Sequence, residues 1–90
     1  MNTIKVFQSV LNKEIEMQYI GKVKYVGTDD YLCFINNKTY NVVLDKYNCV
    51  KVVDETDEDY VYSLTEPIVG GKFYYIDDPQ DILKNYMSEY

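Results

Sequence analysis

"EIEMQYIGKVKYV", residues 14–26, decides how this chain folds. Ile15, Met17 and Tyr19 alternate with Glu14, Glu16 and Gln18, the period of two that a half-buried strand shows. Val23 and Tyr25 carry the alternation past Gly21. A glycine inside a strand marks a bulge or a bend. An antiparallel sheet is therefore expected, built outward from this stretch.

Upstream the period changes. Ile4, Val6, Phe7, Val10 and Leu11 fill one arc of a helical wheel, and Lys5, Gln8, Ser9, Asn12 and Lys13 fill the other. This predicts an N-terminal helix capped by Asn2 or Thr3. Downstream, "GTDD" is a turn, and "YLCFINNKTYNVVL" reads as a hairpin around Asn36 and Asn37, because Asn tolerates positive φ. Pairing Phe34 with Tyr40 and Leu32 with Val42 leaves one face wholly apolar, so that register is preferred. "DKYN" turns the chain into the strand "CVKVV"; "YVYSL" and "KFYYI" follow as strands, separated by the loop "TEPIVGG". "DDPQDILKNYMSEY" predicts a C-terminal helix. Asp78 is its cap, Pro79 its first position and Asp81 its capping-box acid, and Ile82, Leu83, Tyr86, Met87 and Tyr90 share one arc. The fold class expected is α+β: an antiparallel meander of about six short strands forming a bent sheet or small barrel, with an N-terminal and a C-terminal helix packed on it. Residues 1–90 make one domain.

Composition narrows the function. With 47% hydrophobic residues and 11 tyrosines the chain is too apolar for a disordered one. No apolar run is long enough to span a bilayer, and the first residues lack a signal-peptide core, so a cytoplasmic location and no membrane partner are expected. Cys33 and Cys49 form no disulfide framework. Lys, Asn, Ile and Tyr, all with A/T-rich codons, are abundant, which points to an AT-rich genome. The net charge of −6 is unevenly divided: residues 1–51 hold seven Lys and five acids (+2), residues 52–90 two Lys and ten acids (−8).

Chemistry finds little support. The chain has no His to activate either cysteine or to ligate zinc. An EF-hand loop needs Gly at its sixth position and Glu at its twelfth; from Asp54 these are Asp59 and Thr65. Gly70 and Gly71 precede a strand rather than a helix, so no phosphate loop is present. No catalysis, cofactor or specific metal is expected.

The acidic run carries the functional expectation. "VVDETDEDY", residues 52–60, packs five carboxylates into the six positions from Asp54 to Asp59. A charged hairpin tip would account for it blandly, since charge keeps sheet edges soluble. An extended chain advances about 3.3 Å per residue, close to the roughly 3.4 Å between phosphates along one DNA strand. Asp54, Glu55, Asp57, Glu58 and Asp59, with Asp77 nearby in type, are therefore expected to mimic a phosphate backbone, and Tyr60, Tyr62 and Tyr74 to anchor a partner. The partner expected is a basic nucleic-acid-handling protein, with no direct binding of nucleic acid. In size and charge the chain resembles the small acidic inhibitors of phages and mobile elements, many anti-CRISPR proteins among them; the likeness is compositional, and no motif carries it. Two alternatives stand beside it. One is a small β-barrel adaptor or structural subunit whose acids only solubilise. The other is a single-stranded nucleic-acid binder using its tyrosines with Lys22, Lys24, Lys38 and Lys51, which would require an acidic protein to gather lysines on one face.

Overall fold

The computed structural model describes residues 2–65 and 70–87. Its frame is the stretch from which the sequence was read. β2 (Lys13–Gly27) runs through it unbroken, flanked by β1 (Thr3–Gln8), β3 (Thr39–Leu44), β4 (Val50–Val53), β5 (Asp59–Tyr60) and β6 (Gly71–Asp77), with one short helix, α1 (Ile82–Met87). Every strand pairing is antiparallel, in the order β1-β2-β3-β4-β5, and β6 joins β2 separately. Lys22, Val23 and Lys24 pair with both β3 and β6, so β6 lies on the edge of β2 opposite β3, end to end with β1.

Gly21 is the hinge of this arrangement. Tyr19 pairs with Val43 and Gly21 with Val42, leaving Ile20 as the extra residue of a bulge. The bulge inverts which face alternate residues point to. Ile15 and Met17 pack with Val6 and Val43 on one face, whereas Val23 and Tyr25 pack with Val42, Phe34 and Phe73 on the other. Adjacent Val42 and Val43, which point to opposite faces of β3, are both fully buried in different cores. The sheet thus curls into a half-barrel around the smaller core, while the loop before β3, β6 and α1 close the larger one.

Two expected elements are corrected. The N-terminal helix is absent: residues 3–8 form β1, with Ile4 opposite Met17 and Val6 opposite Ile15. Val10, assigned to the buried arc of that helix, is 94% exposed at the hairpin tip. The fold is therefore a mostly-β curled sheet, not α+β with helices at both ends. The hairpin within 31–44 is also absent. Only Asp30 and Phe34 form an isolated bridge, and β3 pairs with β2 instead. The 28–38 segment is knitted by side chains, with Asn36 N–H donating to Asp29 (2.8 Å), Gly27 N–H to Asn36 (3.0 Å) and Leu32 N–H to Asp30 (3.1 Å). This drives Phe34 into the core and leaves Leu32 exposed.

Other expectations stand in part. "DKYN" is a turn in which Asp45 accepts from Tyr47 and Cys49 N–H, and Asn48 adopts φ 62°. The strand expected over "YVYSL" shrinks to Asp59–Tyr60. Asp78 caps α1 by accepting from Leu83 N–H (3.0 Å) and Lys84 N–H (2.8 Å), but Asp81 sits at φ 58°, outside any capping box. Residues 66–69 of the "TEPIVGG" loop and Tyr90 lie outside the described residues.

Candidate functional site

Four of the five acids expected to face a partner are bonded into the molecule. Asp54 opens the β4–β5 turn, which closes through Asp54 N–H to the Glu58 carbonyl (3.1 Å) and is shaped by Asp57 at φ 65°. The residue is only 4% exposed, and its side chain accepts from Thr56 N–H (2.9 Å), the Thr56 hydroxyl (2.5 Å) and the Tyr62 hydroxyl (2.5 Å). Burial first, and then this carboxylate, push the Tyr62 phenol well above the ordinary tyrosine range. Glu55 reaches the start of β3, where Lys38 Nζ lies 2.7 Å away and the Tyr40 hydroxyl donates to it at 2.5 Å. Lys38, then Tyr40, hold its carboxyl below the usual glutamate value.

Glu58 and Asp59 reach the opposite way. Glu58 accepts from Ser9 N–H (3.0 Å), and Asp59, 8% exposed, accepts from the Gln8 side-chain amide. These two bonds tie β5 to the β1–β2 hairpin and draw the half-barrel together. Lys51 sits between Asp45 (3.4 Å) and Asp59 (3.5 Å). Burial opposes its charge, but Asp59 and Asp45 outweigh that and raise its pKa. Asp57 alone of the five has a carboxylate without a partner among the described residues.

The anchors separate as well. Tyr60 is exposed on β5, while Tyr62 lies beyond the strand and packs on Phe34, ring centroids 4.6 Å apart. Tyr74 and Asp77 are on β6, paired with β2 and not with the acidic turn. The Asp77 carboxylate accepts from the Tyr19 hydroxyl at 2.5 Å; burial, then this bond, push Tyr19 up to about 12.

A different cluster emerges beyond the bulge. Directly opposed residues of an antiparallel pair share a face. Lys24 opposes Tyr74 and Val26 opposes Lys72, so Lys22, Lys24 and Val26 of β2 share a face with Lys72 and Tyr74 of β6. Asn41 and Thr39 of β3, opposite Lys22 and Lys24, continue it. This is the face whose other end holds the smaller core, but here nothing among the described residues covers it: Tyr74 is 53% exposed, and Lys22, Val26, Thr39 and Lys72 are exposed. No carboxylate of the described residues lies within ion-pair distance of Lys22, Lys24 or Lys72. Asp77, opposite Lys22, is the one acid on the face among the described residues. Lys38 and Lys51, the other lysines singled out from the sequence, are occupied by Glu55 and by Asp45 and Asp59. Lys72 escaped notice there, although its place two residues before Tyr74 in "KFYY" puts it on the same side of a strand.

A cleft of about 600 Å³ opens at the mouth of the half-barrel, with Leu11, Ile15, Met17 and Leu44 against Lys51 and Asp59. Its polar lining includes the mutually bonded Asp45, Lys51 and Asp59. Among the described residues no group of His, Cys, Asp or Glu could hold a metal ion, and no helix is long and apolar enough to cross a membrane. No protein-family model matches the chain, and no match is found among curated proteins or solved structures.

Proposed function

We propose that this protein is a non-catalytic binding module that receives a negatively charged partner on the open sheet face of β2 and β6. The observation that carries the reading is a division of charge. Among the described residues, Lys22, Lys24 and Lys72 share an uncovered face with Tyr74 and have no ion-pair partner, whereas four of the five acids in the 54–59 run are bonded within the chain. A mimic of a phosphate backbone needs free carboxylates, and among the described residues Asp57 alone of the five has no partner. The overall charge of −6 repels a polyanion at long range but is screened within a Debye length of about 10 Å at 0.1 M salt. Local lysines then decide contact.

The test is calorimetric titration with inorganic polyphosphate at low and high salt. The protein is expected to bind at low salt and release at high salt. The triple variant Lys22→Gln, Lys24→Gln, Lys72→Gln is expected to lose binding, and Asp57→Asn to keep it. Equal binding by the wild type and the triple variant would remove the proposal.

A further inference from the structure

We infer that the anionic partner of this face is single-stranded nucleic acid, an inference that rests on the open face being an anion-binding surface. The choice follows from what stands between the lysines. Tyr74 lies directly opposite Lys24, with Lys72 two residues along the same strand face, and the residue is 53% exposed. The face of an aromatic ring carries the negative part of its quadrupole. That face repels the carboxylates of an acidic peptide, which could use only the hydroxyl at the ring's edge, whereas it stacks on any flat base. Lysines beside an exposed ring match a ligand in which phosphates alternate with planar apolar groups. Lys22 and Lys24, two residues apart on one strand face, stand about 6.6 Å apart along it, and so present separate charges to successive anionic groups.

The neighbours fit the same ligand. Thr39 and Asn41 continue the face beside Lys24 and Lys22, and both carry side chains that donate and accept hydrogen bonds, as base edges require. Val26, opposite Lys72, gives an apolar contact for a ring. The surface is one face of three strands, and among the described residues no helix projects from it to enter a duplex groove. Stacking on Tyr74 also needs a base out of its helix. Both features select a single strand. Asp77 sets one border: it opposes Lys22 and would repel a phosphate placed beyond it.

The experiment measures fluorescence anisotropy of a short labelled oligothymidylate at low salt, with polyglutamate and a DNA duplex as parallel probes. The oligothymidylate is expected to bind with a log–log salt slope of about −2, from three lysines at about 0.7 each. Tyr74→Leu is expected to weaken binding roughly tenfold, and Tyr74→Phe, which keeps the stacking ring, to restore most of it. Circular dichroism of each variant checks that the exposed substitutions leave the fold intact. Equal binding of polyglutamate with no effect of Tyr74→Leu would overturn the inference and assign an acidic protein to the face, leaving the anion-binding reading in place. Tighter binding of the duplex than of the single strand would also overturn it. Failure of every probe would remove both.

Discussion

Replacing Asp54 by Ala deletes the acceptor for three donors at once, two from Thr56 and one from the Tyr62 hydroxyl. Thr56 is exposed and its donors can turn to water, so the half-buried Tyr62 hydroxyl carries most of the cost; a buried donor left without its acceptor costs about 1–3 kcal/mol. Asp54→Ala should therefore lower the unfolding free energy in urea by about 2 kcal/mol or more. Asp57→Asn, five-acid neighbour though it is, should change it by less than about 0.5 kcal/mol, since Asn tolerates the left-handed backbone there. Glu55 adds a pH dependence with a definite sign. Its folded pKa lies below the ordinary 4.5, so its contribution is present above that value and is lost as pH falls through the lower one. Urea midpoints measured between about pH 5 and pH 3 should fall more steeply for the wild type than for Glu55→Gln. The acids themselves were plain in the sequence; their orientation was not. Charge density says nothing of what lies across a turn, and the groups that satisfy these carboxylates, Gln8, Ser9, Lys38, Tyr40 and Lys51, come from three other segments.

The strand β2 was the most legible element, because thirteen residues of alternation leave no helical alternative and Gly21 announces the interruption. β1 was misread for a physical reason. Ile4 and Val6 satisfy a strand, Ile4, Phe7 and Leu11 satisfy a helix, and a window this short contains both periods. The β-branched Thr3, Ile4 and Val6 favour the strand, and a partner strand in Glu14–Gln18 settles it by burying Ile4 and Val6 against Met17 and Ile15. The register proposed for the 31–44 hairpin failed because Asp29, Asp30 and Asn36 bond backbone groups that a ladder would need. Asp78 was legible as a cap, since its role depends on nearby residues alone. The bulge gives the sharpest test at this scale. Gly21 has φ 154°, and a Cβ there would collide with the Asp77 carbonyl oxygen and stand 2.6 Å from Leu83 Cδ1. Gly21→Ala should destabilise by about 3 kcal/mol or more, read from denaturant unfolding, while Val10→Thr at the exposed hairpin tip should be nearly silent.

At the scale of the molecule, two cores on opposite faces of one sheet leave one stretch of face that no described residue covers. The acidic turn fastens β5 to the β1–β2 hairpin and braces β3, so most of its charge is spent on closing the half-barrel. The lysines beyond the bulge have no such duty. Composition hid this, because a net charge of −6 averages over a turn most of whose acids are internally bonded and a face that, among the described residues, carries three unpaired cations and one acid. Strand pairing had to be known before Lys72 and Tyr74 of β6 could be set beside Lys22 and Lys24 of β2. The most direct measurement is the polyphosphate titration followed by amide NMR. Resonances of Lys22, Lys24, Val26, Lys72 and Tyr74 should move together and saturate, while those of residues 54–59 stay in place. Movement centred on residues 54–59, or none on β2 and β6, would contradict the division of labour between structural acids and binding lysines.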